Sequence, residues 1–141
     1  LQKMYDAGVA PYFDALAVHA YGLRSPADES PAPDRLNFRR VELAREVMVR
    51  NGDAAKSIYV TEAGWNDSPR WNQSVRPVQR IDYTLAAYQW AEERWPWCKV
   101  VAMWAFRYPT PMRNYHDYYV FVGTDFEPRP IYLKVQEWAT R

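Results

Sequence analysis

The sequence contains very little cysteine, histidine and glycine, and it has no long run of apolar residues. Its 141 residues include one cysteine, Cys98, two histidines and five glycines. A single cysteine excludes an internal disulfide and a cysteine-based metal site. So few glycines leave no glycine-rich phosphate loop of the GxGxxG or Walker type, which argues against a nucleotide site. No uncharged apolar run approaches the roughly 20 residues that a membrane helix needs.

An excess of charge of one sign is also absent. Eighteen basic and seventeen acidic side chains give a net charge of +1, and no basic stripe stands out. We therefore expect neither nucleic acid nor a membrane as a partner. The two histidines, His19 and His116, are too few for a metal site unless carboxylates join them, and we expect neither a metal nor an organic cofactor.

Aromatic residues, in contrast, are abundant. Seven Trp, eleven Tyr and five Phe make up 16% of the chain, within an ordinary globular balance of 48% hydrophobic and 25% charged residues. Such rings offer an apolar face with a hydrogen-bonding edge, which favours the binding of flat, partly polar ligands. Because the chain starts at Leu1 without a leader, we expect it to belong to a larger protein.

Three apolar runs predict β-strands, at residues 13–22, 57–66 and 100–109. Their near-continuous apolar character is typical of parallel strands covered on both faces. Helical periodicity lies between and around them, with Asp34 as a plausible N-cap and Gly52 as a plausible stop. The predicted helices are a short opening one before Gly8, one over 34–51, one from Pro77 to Pro96 and one from Pro130.

Alternating strands and helices indicate an α/β fold with right-handed crossovers and a parallel sheet. Three strands cannot close a barrel, and a (β/α)8 barrel needs about 250 residues. The simplest interpretation is therefore a part of such a barrel. A small doubly wound sheet is the structural alternative.

Glu62 is the most informative residue, because it ends a strand that should be buried. A carboxylate there costs free energy unless it is paired or faces a polar cleft. Ligands of parallel α/β barrels bind at the carboxyl ends of strands, where Glu62 lies. The alternative is a structural role, with Glu62 paired to an arginine from a neighbouring strand.

Other candidate site residues lie near the ends of the same runs. His19 and Tyr21 share one face of the first strand if its side chains alternate, so both can look into one cleft with Glu62. Trp104 can offer a platform for a sugar ring, and Trp65 is a second candidate for the cleft wall. The remaining tryptophans fall in loops or helices, where packing is the expected role: Trp71, Trp90, Trp95, Trp97 and Trp138.

The order VHAYG, VTEAGWN and AMWAFRYP, followed by the tail YYVFVGTDFEPRPIYLKVQEW, resembles the last three strands and final helix of retaining (β/α)8 glycoside hydrolases. That clan includes cellulases, mannanases, β-xylosidases and β-glucosidases. The resemblance covers nearly the whole chain and implies that residues 1–141 are the C-terminal portion of one barrel domain, with about strands six to eight. It implies that Glu62 is the catalytic nucleophile, that Tyr21 or His19 holds it in position, and that Trp104 stacks on substrate.

The chain also departs from that family. The acid/base, a Glu in an Asn-Glu pair on the fourth strand, has no counterpart here, nor has the arginine from the second strand. The loop carboxylates that remain are not where the family places its acid: Asp67, Asp117, Asp125 and Glu127. We therefore expect hydrolysis of β-glycosidic bonds only together with an N-terminal half-barrel, and little activity from this segment alone.

Two other functions stay open. One is a non-catalytic half-barrel that binds carbohydrate or forms a homodimer, since an open sheet edge exposes unpaired backbone groups. The other is a different barrel enzyme that uses Glu62 as a proton-transfer base. The sequence does not choose the glycan, and secretion is expected only by analogy with enzymes that degrade polysaccharides.

Overall fold

The computed structural model describes all residues from Leu1 to Arg141, and its centre is a three-stranded parallel sheet. The strands are β1 (Ala15–Tyr21), β2 (Ser57–Gly64) and β3 (Cys98–Met103), side by side in the order β1-β2-β3. The predicted α/β class and the three strands are confirmed. The third strand begins earlier than predicted and ends before Trp104, so this tryptophan lies in the loop that follows.

The chain also forms four α-helices: α1 (Gln2–Asp6), α2 (Val41–Arg50), α3 (Pro77–Arg94) and α4 (Pro130–Ala139). The starts at Pro77 and Pro130 are as predicted, since proline suits the first helical position. Gly8 and Gly52 have φ values of 83° and 86° just after their helices. These left-handed conformations favour glycine, and they end the helices where the sequence predicts.

The predicted start of the second helix at Asp34 is wrong. A 3-10 turn at Phe38–Arg40 leads into α2 at Val41. Just before it, the buried side chain of Asn37 donates to Glu29 at 2.8 Å and to the Ser30 carbonyl at 2.7 Å. Asn37 has an extended backbone with φ −149° and ψ 167°. The tertiary hydrogen bonds thus hold this segment outside the helix.

The hydrophobic core lies on one face of the sheet, between the strands and the helices. Ile58, Val60 and Ala63 of β2 are fully buried there. The core also contains side chains from the surrounding segments: Phe38, Met48, Trp65, Ala87 and Trp95. No helix in the structure is both long and apolar enough to cross a membrane.

The opposite face of the sheet is open, so the prediction of strands covered on both faces is wrong for this chain. Ala17, Tyr59 and Val100 occupy matching positions on the three strands. Tyr59 is 39% and Val100 43% exposed. The apolar runs were correctly identified as strands, but all the helices of these 141 residues that pack on the sheet lie on the other side.

Candidate active site

The central strand places Glu62 near its carboxyl end, opposite His19 of β1. The register of the β1–β2 pair shifts after Val18, which lies opposite Val60, so that His19 lies opposite Glu62 and Thr61 is the extra residue. Bulges of this kind re-aim side chains and are frequent beside active sites. The shift sets the pairing between His19 and Glu62.

Two side chains of β1 contact the Glu62 carboxylate. The Tyr21 hydroxyl donates to Oε2 at 2.8 Å, and His19 Nδ1 lies 3.5 Å from the same oxygen. Burial, together with the neighbouring Glu62, raises the pKa of Tyr21 well above its ordinary value, so this hydroxyl keeps its proton as a donor. No arginine contacts Glu62, and the structural alternative of an Arg–Glu pair between strands is not found.

The hydrogen bonds leave one Glu62 oxygen unoccupied. Tyr21 and His19 both contact Oε2, and no side chain of the protein donates to Oε1. The Glu62 side chain is 29% exposed. A partly exposed carboxylate that is held through one oxygen, with the other free of hydrogen bonds, has the arrangement that a nucleophile or a base requires.

An aromatic cavity of about 330 Å³ opens at Glu62. Its volume is within the usual range of ligand sites, which is about 300–1,000 Å³. Glu62 is the sole carboxylate among the lining residues, which are Tyr21, Leu23, Leu36, Glu62, Trp71, Trp104, Tyr115, His116 and Tyr119. The cavity combines flat apolar surfaces with a few hydrogen-bonding edges, which favours flat, partly polar ligands.

Trp104 was expected at the end of the third strand, and it lines the cavity from the loop just after β3. It is 37% exposed, and its indole Nε1 donates to the Tyr108 hydroxyl at 2.8 Å. The peptide bond between Trp104 and Ala105 is cis. The hydrogen bond fixes the orientation of the indole while part of the ring stays accessible from the cavity.

Trp65 does not lie on the cleft wall, which corrects the prediction from the sequence. It is 1% exposed and packs in the core, where its Nε1 donates to the Ser25 carbonyl at 2.8 Å. The ring lies against Gly22, where an added Cβ would come within 2.0 Å of the indole. Trp65 therefore supports the end of β1 by packing and has no surface for a ligand.

Trp71, which was expected from the sequence to have a packing role, lies on the cavity wall where Trp65 was expected. It lines the cavity and stacks on Tyr115, with ring centroids 4.7 Å apart and planes inclined by 17°. Tyr119 and His116, also unpredicted, complete this wall. Trp71 and Tyr119 lie outside the helices and strands, and His116 lies in a short 3-10 turn at Tyr115–Tyr118. No periodicity marks such segments, although aromatic residues after strand ends are a usable signal.

A buried asparagine joins the two loops that carry the aromatic wall. Asn66 is fully buried, and its Nδ2 donates to the Tyr115 carbonyl at 2.7 Å. Its Oδ1 accepts from the Ser68 backbone N–H at 2.8 Å. Asn66 thus connects the loop after β2 to the loop after β3, which keeps Trp71 and Tyr115 in contact.

The loop carboxylates do not reach Glu62. Asp67 lies 3.4 Å from Arg80, and Asp117 accepts the backbone N–H groups of Met112 and Arg113. Neither they nor Asp125 and Glu127 line the aromatic cavity. A second carboxyl group for acid/base chemistry is therefore absent from this site.

Comparisons with known proteins support the fold. No protein-family model and no curated protein sequence matches the chain. Among solved structures, a family 39 glycoside hydrolase from Bacteroides cellulosilyticus aligns with a TM-score of 0.72 and 20% identity, over 98% of this chain and 28% of that one. The chain thus shares the backbone arrangement of a segment of that enzyme.

Two further solved structures give the same fold at lower similarity. A family 17 β-1,3-glucanosyltransferase from Rhizomucor miehei has a TM-score of 0.57 and 15% identity, over 92% of this chain and 54% of that one. A β-glucuronidase from Bifidobacterium dentium has a TM-score of 0.55 and 16% identity, over 90% of this chain and 21% of that one. The chain therefore spans about a fifth to a half of these proteins, and its fold is that of a part of TIM-barrel glycoside hydrolases.

Proposed function

We propose that the chain is the C-terminal portion of a retaining β-glycoside hydrolase domain, with β1, β2 and β3 as about strands six to eight of its barrel. The observation that carries this proposal is the Glu62 carboxylate at the carboxyl end of the central strand. Its Oε2 accepts from Tyr21, its Oε1 accepts no side-chain hydrogen bond, and the Glu62 side chain lines an aromatic cavity. The similarity to solved glycoside hydrolases supports the same assignment at the level of fold.

In this mechanism Glu62 is the nucleophile. Its Oε1 attacks the anomeric carbon as the bond to the leaving oxygen breaks, and a glycosyl ester on Glu62 forms. Water then attacks the same carbon and releases the sugar with its configuration retained. Tyr21 and His19 position the carboxylate, and neither forms a bond to the sugar.

The aromatic cavity would hold the sugar ring beside Glu62. The rings of Trp104 and Trp71 offer flat surfaces that match the apolar faces of a pyranose, and hydroxyl groups at the edges can bond to its polar rim. We propose a β-linked oligosaccharide or polysaccharide as the substrate.

The acid/base must come from outside residues 1–141. Retaining hydrolases hold two carboxyl groups about 5–5.5 Å apart, and Glu62 is the sole carboxylate lining this cavity. We therefore propose an N-terminal half-barrel as the partner that supplies the acid and covers the open sheet face.

A reagent whose leaving group departs without a catalytic acid tests the role of Glu62 in residues 1–141 alone. A 2,4-dinitrophenyl 2-deoxy-2-fluoro-β-glycoside carries a leaving group that departs without protonation, and its fluorine slows hydrolysis of the glycosyl ester. Incubation with a gluco, manno and xylo series should add one fluoroglycosyl group to the peptide that contains Glu62, as read by mass spectrometry. Glu62→Gln should not be labelled, whereas the control Glu127→Gln should be labelled normally. Labelling at another residue, or none with any sugar, would contradict the assignment.

A non-catalytic half-barrel is the second candidate, and the lone carboxylate of the cavity favours it. In that case the aromatic cavity would bind oligosaccharides without forming an ester. Calorimetric titration of cello-, manno- and xylo-oligosaccharides separates the two functions. Binding that survives Glu62→Gln, together with no labelling of the unmodified chain, would establish the binding function.

A further inference from the structure

A second cavity, on the helical side of the loops, has a different chemistry from the aromatic site. Its volume is about 850 Å³. Most of its lining residues come from the loop between β2 and α3, from the first turn of α3 and from the start of α4. Four arginines line it, Arg24, Arg76, Arg80 and Arg129, against a single carboxylate, Asp67. The charges of the lining side chains therefore leave a surplus of three positive charges.

Arg80 is the buried member of this set, and its hydrogen bonding is incomplete. Its side chain is 3% exposed, and its nearest carboxylate, Asp67, lies 3.4 Å away. Charge-assisted bonds between these groups are normally about 2.7–2.9 Å long. Arg80 also donates to the carbonyls of Tyr119 and Val120, but its Nε is buried without any acceptor.

The burial of Arg80 and the charge of a neighbouring arginine also disfavour its protonated form. Burial lowers the pKa of Arg80, and the positive charge of Arg129 lowers it further, while Asp67 opposes both effects. A buried cation close to another cation is favourable only when an anion compensates it. The protein itself supplies one carboxylate for the four guanidinium groups.

Two helices also begin at the wall of the cavity. Pro77 opens α3, which has 18 residues, and Pro130 opens α4, which has 10. Helix N-termini carry partial positive charge and free N–H groups, which favour anions. The partial positive charges of the two helix N-termini thus add to the positive electrostatic potential of the four arginines.

We propose that this arginine cavity binds an anionic small molecule that carries a phosphate or sulfate group. Guanidinium groups match the oxygens of such groups through paired hydrogen bonds. The volume exceeds what one inorganic ion needs and lies within the range that encloses a drug-sized ligand. The proposal is independent of hydrolysis at Glu62, which lines a different cavity.

Binding can be measured directly on the purified protein by isothermal titration calorimetry and by thermal unfolding. The probes are inorganic phosphate, inorganic sulfate and glucose 6-phosphate, each at constant ionic strength in chloride. We expect saturable binding and a rise in the unfolding temperature with at least one of them. Tighter binding of glucose 6-phosphate than of inorganic phosphate identifies a substituted ligand, and the reverse order identifies the free ion as the ligand.

Exposed arginines allow a test that does not endanger the fold. Arg24 makes no hydrogen bond to the protein, and Arg76 contacts only Gln79 at its side chain. Arg24→Gln and Arg76→Gln should each weaken binding by roughly threefold to tenfold. Arg70→Gln, at an exposed arginine outside the cavity, is the matched control and should bind normally.

The proposal fails if phosphate, sulfate and glucose 6-phosphate stabilise the protein no more than chloride does. It also fails if Arg70→Gln weakens binding as much as Arg24→Gln, because the effect would then be one of overall charge. Since no variant of Glu62 enters this experiment, failure here leaves the test of the nucleophile unaffected.

Discussion

At the scale of single residues, the site depends on a few contacts that orient one carboxylate. Tyr21 donates to one oxygen of Glu62, and edge-to-face packing on Tyr119, with ring centroids 5.6 Å apart, holds the Tyr21 ring itself. A shift of about 1 Å in a reacting group can cost a hundredfold in rate. The Tyr21 hydroxyl is therefore a positioning group whose loss should slow the chemistry without emptying the cavity.

Tyr21→Phe tests this role with little change in shape. The rate constant for labelling Glu62 with the fluoroglycoside should fall roughly tenfold to a hundredfold. The reagent concentration that gives half of the maximal rate should change little, because the aromatic surfaces remain. Stopped-time mass spectrometry over a range of reagent concentrations separates the two parameters.

Tyr12→Phe is the control for this experiment, because Tyr12 is 84% exposed and does not line the cavity. It should label at the normal rate. A Tyr21→Phe protein that labels as fast as the unmodified chain would show that the hydroxyl does not position Glu62.

At the scale of secondary-structure elements, one carboxylate connects two helices. Glu42, in the first turn of α2, accepts from Trp95 at 2.9 Å and from Trp90 at 3.3 Å, both from the region of α3. Arg39 donates to both of its oxygens, at 2.9 and 3.1 Å. These bonds fix the position of α2 against α3 beside the stacked rings of Phe38 and Trp95.

The pH dependence of stability should report this cluster. Burial raises the pKa of Glu42, but the hydrogen bonds from Arg39 and Trp95 outweigh it, so the pKa lies below its ordinary value of 4.5. The contribution of Glu42 to stability is then fully present above pH 4.5 and is lost as the pH falls through the lowered pKa.

Glu42→Gln should lower the free energy of unfolding at pH 7 by roughly 1–3 kcal/mol. Its deficit relative to the unmodified protein should shrink as the pH falls below 4.5. Denaturant unfolding at several pH values measures both effects. Glu46→Gln, on an exposed position of the same helix, is the control and should stay within about 0.5 kcal/mol. A deficit for Glu42→Gln that is independent of pH would contradict the role of its ionised form.

At the scale of the whole molecule, the sheet is incomplete on one face and at two edges. Tyr59 and Val100 expose apolar surface on the face that lacks helices, and β1 and β3 each have one neighbour only. Open edges and apolar faces favour association with another chain segment. The segment would be an N-terminal half-barrel or a second copy of this chain.

The chain by itself should therefore associate. We expect native mass spectrometry and analytical ultracentrifugation to find dimers or larger species of the 16.7 kDa chain at micromolar concentrations. Val100→Lys, which adds a charge to the open face, should shift the population towards monomers. Leu133→Lys, on the exposed surface of α4 at 51% exposure, is the control. A monomer at all concentrations, with or without these changes, would contradict the prediction.

The sequence by itself determined the local features of this protein. The apolar runs specified three strands, Pro77 and Pro130 specified helix starts, and Gly8 and Gly52 specified helix ends. These features depend on neighbouring residues along the chain, through backbone sterics and hydrophobic periodicity. The position of Glu62 near the end of an apolar run was equally visible, because a carboxylate at that place needs a partner or a cleft.

Only the tertiary structure decided which aromatic residues face the cavity and which fill the core. Trp65 and Trp71 both follow β2, yet the first packs against Gly22 and the second stacks on Tyr115. The open sheet face and the arginine cavity are likewise products of chain segments that are distant in sequence. Side-chain direction and burial depend on those long-range contacts, which no local pattern encodes.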